Sequence, residues 1–346
     1  LEKENGTMEN RVKATKIRDN YFTSQIIKFR ELGLLVFIVL LAIVINVRNP
    51  NFLTATNIID MLKDTTILSI LAVGMMLVIV TRGIDLSVGS TLALTGMIVG
   101  MIVSSNKEIP AAIAVLIGVV MGILLGAITG LVVSKGNVLP IIATLGIMNI
   151  YRGITFIISG GKWVNAHQMP ESFKNMTRQS ILGINTLILF AVVIYIIFYY
   201  FVNHTRTGRQ IYAVGSNPDA AKISGIAIDR ILFLVYTLMG GLSGLSGVLW
   251  VSRYASAQND TATGFELFVI AACVLGGVNI AGGSGKISGV LLGSILIGII
   301  NNALPMVKIS PFWKLAIQGL IIIIAVLVNV LIARRIEKKN LMRRNV

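Results

Sequence analysis

Apolar residues along this chain gather into long runs broken by short clusters of charge, glycine or proline. Leu32–Val47 and Leu320–Ala333 are two such runs, and neither holds a charged residue. Runs of this kind approach the ~20 residues that a helix needs to cross a bilayer. Bounded in this way, ten spans are predicted at 32–47, 65–81, 86–104, 110–133, 138–158, 181–202, 231–252, 265–281, 287–305 and 315–333. The shorter ones reach bilayer length by extending into polar flanks or by lying in thin or re-entrant positions. No apolar core with a cleavage site precedes residue 32, so the first span is expected to stay in place. Met8 is the expected native start, with Leu1–Thr7 ahead of it.

Within the spans glycine recurs at helical spacing. Gly118, Gly122, Gly126 and Gly130 fall every fourth residue, as do Gly285, Gly289 and Gly293, while Gly240, Gly241, Gly244 and Gly247 crowd one stretch. Such stripes lie on one helix face and let backbones approach closely, so they read as helix packing rather than solute contact. A short echo links Gly83-Ile-Asp-Leu-Ser-Val-Gly-Ser90 with Gly277-Val-Asn-Ile-Ala-Gly-Gly-Ser284. Internal repetition or shared turn chemistry would each produce it.

Composition agrees with a lipid-embedded, all-α polytopic fold. The residues are 55% hydrophobic and only 13% charged, with a mean hydropathy of +0.83, against roughly 25% charged in soluble domains. The net charge of +15 would suggest nucleic acid in a soluble protein. Here the basic residues concentrate in the N-terminal segment 1–31, the loop 203–230 and the tail 334–346, the pattern that orients a membrane protein with both termini cytoplasmic. A transmembrane domain over 32–333 and a lipid partner follow, with no nucleic acid. The single cysteine, Cys273, excludes a disulfide framework and a cysteine metal site and reads as a small buried hydrophobe.

The most informative local pattern is in the loop 203–230. Gly-Ser-Asn-Pro-Asp-Ala-Ala-Lys-Ile-Ser-Gly (215–225) predicts a short helix over 218–224 with a polar cap at Ser216 or Asn217, Pro218 in the first turn, Asp219 at the positive end and Gly225 as the stop. A helix this short is unstable alone in water and needs a partner surface.

Asp219-Ala220-Ala221 followed by Gly225 resembles the Glu-Ala-Ala…Gly coupling loop of ABC importer permeases, with Asp in place of Glu. Thr-Arg-Gly-Ile-Asp-Leu-Ser-Val-Gly-Ser (81–90), Gly-Arg-Gln-Ile-Tyr-Ala-Val-Gly-Ser-Asn (208–217) and Phe-Glu-Leu-Phe-Val-Ile-Ala-Ala-Cys-Val-Leu-Gly-Gly (265–277) resemble the permeases for ribose, xylose, rhamnose and autoinducer-2. The resemblance covers about residues 32–333. It implies a fold similar to type II ABC importer permeases in the bacterial cytoplasmic membrane. It also implies a pore of two permease chains, identical or different, that moves a small sugar by alternating access. Two cytosolic ABC ATPase subunits, or one double-ATPase chain, would hold ATP and magnesium, and an extracytoplasmic sugar-binding protein would deliver the substrate. Pro218, Asp219, Ala220, Ala221 and Gly225 would then meet the ATPase; an ordinary interfacial helix is the plainer reading.

No energy-converting chemistry is visible on the chain itself, so it is not expected to be an enzyme. Gly285-Lys286 imitates a phosphate-binding loop, but Ile280 stands where the first glycine is required and Ile287 where Ser or Thr would hold magnesium. The rival class, an ion-coupled secondary sugar transporter, needs acids or histidines buried mid-span. All fifteen Asp and Glu residues fall in loops, termini or terminal turns of the predicted spans, and His167 and His204 are in loops.

Polar residues near the spans supply the remaining site candidates. Arg152 lies fourteen residues into its span, about 21 Å from the inner end. Depth groups it with Asn149, Glu266, Asn301 and Asn302, either as a structural Arg–Glu tie or as polar lining for a sugar. At the turn before span three, Asp85 is placed to cap the helix and pair with Arg82, with Ser87 beside it, or to face the ATPase. Trp163, Trp250, Trp313, Tyr199 and Tyr200 lie near span ends as interfacial anchors, and the outer loop 159–180 is long enough to meet a binding protein.

Overall fold

The apolar runs fold as helices, and their capping residues set the boundaries. The computed structural model describes residues 31–308 and, beyond them, Trp313, Ala316, Gly319, Leu320, Ile323 and Leu327, which are helical. The basic segment 1–30, most of the span expected at 315–333 and the tail 334–346 lie outside the described residues. Eight helices among the described residues are long and apolar enough to cross a membrane. They are α1 (Glu31–Arg48), α2 (Ala55–Val80), α3 (Val88–Ser105), α4 (Ala111–Ser134), α5 (Pro140–Ser159), α7 (Thr186–His204), α10 (Ile228–Tyr254) and α12 (Ile287–Met306). The shorter helices are α6 (Glu171–Asn175), α8 (Arg206–Ser216), α9 (Pro218–Ile223) and α11 (Phe265–Leu275).

α2 is the axis of the bundle. Its residues from Thr65 to Val80 are all buried, enclosed by α7, α10, α11 and α12. The helix starts ten residues before the predicted span because Thr54 caps it by accepting from the Asn57 N–H. Its first turns carry Asp60, Lys63 and Asp64, which are satisfied by Lys63–Asp60 and Arg253–Asp64 ion pairs. Those charges ended the apolar run without ending the helix.

The glycine stripes pack helix on helix, as the spacing predicts. Gly118, Gly122 and Gly126 of α4 meet Gly240 and Gly244 of α10 backbone to backbone, and Gly289 and Gly293 of α12 meet Gly276 and Ala272 beside α11 in the same way. The outward faces of α1, α4, α5 and α7 carry exposed Leu40, Leu116, Ile142 and Ile196, suited to lipid.

Three further expectations are corrected. Span six begins at Thr186 rather than 181, because residues 180–185 form a small hairpin, β1 (Ser180–Ile181) with β2 (Ile184–Asn185). Asn185 then caps α7 by accepting from the Leu187 N–H. The loop 203–230 holds two helices, α8 and α9, rather than one. Span eight is an 11-residue helix, about 16 Å long and too short to cross alone. The loop 255–264 ahead of it dips between the helices, with Ala257, Asn259, Thr261 and Ala262 buried.

The depth of this dip follows from packing. Gly96 of α3 lies against Gly247 of α10, seven residues before the end of the 27-residue α10. Gly89, seven residues earlier on α3, is therefore about 10 Å deeper, near the midpoint of the ~40 Å helix α10. A Cβ on Gly89 would lie 2.6 Å from the Ala262 carbonyl and 2.9 Å from Glu266 Oε2. The start of α11 thus lies halfway across the bundle.

Candidate functional site

At one end of the bundle the chain turns from α7 into α8 and α9. Thr205 caps α8 by accepting from the Gly208 N–H, and Asn217 ends α8 and caps α9 by accepting from the Ala220 N–H at 3.0 Å. Pro218 fills the first position, Asp219 the first turn and Lys222 the last, and Gly225 exits at φ +77°, a conformation that favours glycine. Ala221 is buried beneath the helix, while Asp219, Ala220, Lys222 and Ile223 face outward. Ile223 is 88% exposed. That bare isoleucine on a polar helix was not singled out from the sequence; its place inside an otherwise helix-forming motif gave no signal of which face it would take.

Arg82 and Asp85 part company in the structure. Arg82 does not pair with Asp85; it donates from Nε to the Gly215 carbonyl at 2.6 Å and from Nη2 to the Ser216 carbonyl at 2.8 Å, both at the end of α8. Asp85 Oδ1 instead accepts from the Ser87 N–H at 2.8 Å and the Ser87 hydroxyl at 2.6 Å, closing a tight turn ahead of α3. Asp85 is only 4% exposed. The third neighbour is the turn before α12, where the Gly283 N–H donates to the Val80 carbonyl and the Tyr212 hydroxyl to the Gly285 carbonyl. Burial pushes the Tyr212 phenol up to about 12, so it stays a donor.

The polar residues grouped by depth do not form one cluster. Arg152 makes two hydrogen bonds from Nη1, to the carbonyls of Asn259 and Thr261 at 2.8 Å each, and so clamps the dipping loop. Glu266 is near enough to interact electrostatically with Arg152, but the guanidinium is spent on the backbone. Asn149 is exposed on the same helix and bonds to the Leu145 carbonyl. Asn302 pairs with Asn57 of α2, and Asn301 neighbours it on α12, the helix that packs on α2 and α11 rather than on α5. Glu266 lies at mid-bundle beside Gly89 rather than at the outer edge, because its loop dips. No group of three His, Cys, Asp or Glu residues among the described residues could hold a metal.

Comparison with known proteins decides the class. Residues 57–326 match the model of the family described as branched-chain amino acid transport system, permease component. The chain belongs to this permease family. A ribose import permease protein from Escherichia coli (strain K12) is 40% identical over 89% of this chain and 96% of its own length. A ribose import permease protein from Bacillus subtilis (strain 168) is 39% identical over 87% and 92%. An autoinducer 2 import system permease protein from Salmonella typhi is 32% identical over 85% and 84%. No solved structure matches.

The resemblance to sugar-importer permeases drawn from the motifs is therefore borne out, as is the all-α polytopic fold. This permease is a multi-pass protein of the bacterial inner membrane and a transport component of an ABC importer, whose ATPase activity resides in a separate subunit. Its helices can supply a passage and a lever, and the chemistry of ATP belongs elsewhere.

Proposed function

We propose that this permease carries a small sugar, a pentose, deoxyhexose or autoinducer-2-like molecule, inward by alternating access. The observation that carries the reading is α9, a doubly capped helix at the surface whose outer face offers Asp219, Ala220, Lys222 and the bare Ile223. A groove on an ATPase subunit would cover that face, with ATP and magnesium held by the partner. The ribose and autoinducer 2 names of the relatives support the substrate class.

The α9 end is assigned to the cytoplasm. Arg206, Arg209, Lys222, Arg230 and Lys286 cluster there, in keeping with the positive-inside rule. Glu31, at the start of α1, lies 3.4 Å from Lys286, which supports the reading that α1 starts at the cytoplasmic side. With the dipping loop and α11 taken as one crossing, the ten spans expected from the sequence would bring both termini to the cytoplasm. A second permease chain would cover the open face of α5, where Gly146 and Gly153 have no neighbour within 4 Å and Asn149 is exposed. Asn149, Arg152 and Glu266 would border the passage there, and an extracytoplasmic binding protein would dock on the opposite end of the bundle around α6.

The test is uptake of radiolabelled sugars by proteoliposomes holding the permease, its ATPase and its binding protein. ATP-dependent, vanadate-sensitive uptake of one sugar class is expected. Uptake that persists without ATP and collapses with an uncoupler would sink the reading in favour of ion coupling, to which mid-depth Glu266 would then be relevant.

A further inference from the structure

The end of α8 leaves carbonyls that its own helix cannot pair. Two of them, on Gly215 and Ser216, are taken by Arg82, which reaches them from a turn more than 130 residues away. Arg82 does so from a left-handed backbone, φ 66°, a conformation that non-glycine residues seldom adopt and that the surroundings must enforce. A cation at a helix C-terminus also meets the negative end of the helix dipole.

The same point is a three-way junction. A Cβ on Gly215 would overlap the Val80 carbonyl, so the last residues of α2 and α8 touch backbone to backbone. The Gly283 N–H donates to that Val80 carbonyl at 2.9 Å. A Cβ on Gly282 would meet the Arg82 side chain and the Gly215 carbonyl, and Tyr212 of α8 holds Gly285 at 2.7 Å. Arg82, just ahead of the first echoing segment (83–90), and Gly282 and Gly283 within the second (277–284) therefore both adjoin the end of α8, one segment leading into α3 and the other into α12. Asn217, the next residue, is the cap of α9. Besides the short link 224–227 into α10, this junction is a route by which displacement of α9 can reach the spans.

We propose that Arg82 is the positioning residue through which movement of α9 is transmitted to the α2–α3 turn, while Tyr212 transmits it to the turn before α12. This rests on the reading of α9 as the ATPase contact. The α2–α3 turn continues through Asp85 and Ser87 into Gly89, which lies against Ala262 and Glu266 at mid-depth. Displacement of Arg82 would thereby reach the start of α11 beside the proposed passage. Arg82 and Tyr212 contact neither ATP nor sugar; they set how tightly hydrolysis is tied to transport.

The experiment compares Arg82→Ala, Arg82→Lys, Tyr212→Phe and Ile223→Asp in the complete importer. It measures co-purified ATPase, basal ATP hydrolysis, its stimulation by loaded binding protein, and sugar moved per ATP. Arg82→Ala is expected to keep the ATPase bound and hydrolysing while sugar moved per ATP falls at least tenfold and stimulation disappears. Arg82→Lys, with a single point donor for two carbonyls, should recover part of the ratio, and Tyr212→Phe should lower it several-fold. Ile223→Asp should instead release the ATPase. An unchanged ratio of sugar to ATP in both Arg82→Ala and Tyr212→Phe overturns the junction proposal, even if total activity falls. Should Arg82→Ala fail to assemble, Arg82→Lys and Tyr212→Phe decide by the same ratio. An ATPase that stays bound to Ile223→Asp overturns the α9 reading instead, separating the two failures.

Discussion

Gly122 of α4 and Gly240 of α10 face each other so closely that a Cβ on either would overlap the carbonyl oxygen of the other. Neither neighbour is a flexible side-chain tip, so the seam cannot yield without moving a helix. Gly240→Val is expected to destabilise the fold by about 1–3 kcal/mol or more, as overpacking does. A lowered unfolding midpoint in detergent, by thermal shift, would show it; an unchanged midpoint would mean that the seam opens freely.

Arg152 satisfies the carbonyls of Asn259 and Thr261 in a loop that dips into the bundle. Arg152→Ala should cost about 1.5–3 kcal/mol, the range for hydrogen bonds made by a charged group. The dipping loop should then become more open to protease in reconstituted vesicles. Arg152→Lys tests both roles together: if assembly and transport are unchanged, neither the clamp nor a passage role survives.

Removing the cap at Asn217 should act locally. Its side chain receives only the Ala220 N–H, and loss of such a cap is worth about 1 kcal/mol. Asn217→Ala is therefore expected to weaken ATPase binding about fivefold with little change in the unfolding midpoint of the permease, measured by titrating the ATPase onto the reconstituted chain.

Glu266 lies at mid-depth beside Gly89 and is only partly buried. Glu266→Gln keeps its size and removes its charge. If Glu266 borders the passage, uptake should show a KM raised several-fold while the unfolding midpoint stays within a few degrees. A lowered midpoint with unaltered KM would assign Glu266 to helix packing alone.

Cys273 is fully buried on α11 and its thiol donates to the Ala72 carbonyl on α2. A maleimide should leave the folded permease unlabelled and modify it only after denaturation in SDS. Rapid labelling of the native protein would show that α11 leaves α2 during the transport cycle.

Much of this protein is legible from local patterns. Long uncharged runs, glycine every fourth residue and the caps around 217–225 each specify a structure through interactions within a few residues or along one helix face. The spans, the packing seams and α9 were accordingly predictable. The boundaries that moved, at α2 and α7, moved because Thr54 and Asn185 act as caps, and a cap is recognised only once the chain direction beyond it is known.

Tertiary structure alone decided the partners of the polar residues. Depth along separate helices grouped Asn302 with Arg152, but depth carries no information about which helix stands beside which, and Asn302 faces Asn57. Arg82 was expected to pair with Asp85, its close neighbour, because opposite charges three residues apart attract. In the folded chain the unpaired carbonyls at the end of α8 are the stronger demand on that guanidinium, and Asp85 is already held by Ser87. The place of Glu266 depended on a loop that dips between helices, which is stable there because Arg152 satisfies backbone groups that lipid could not. The sequence by itself determined which segments are apolar enough to cross a membrane and where a short capped helix forms; only packing decided how that helix is tied to the spans, since the backbone carbonyls that Arg82 and Tyr212 reach leave no mark in a side-chain pattern.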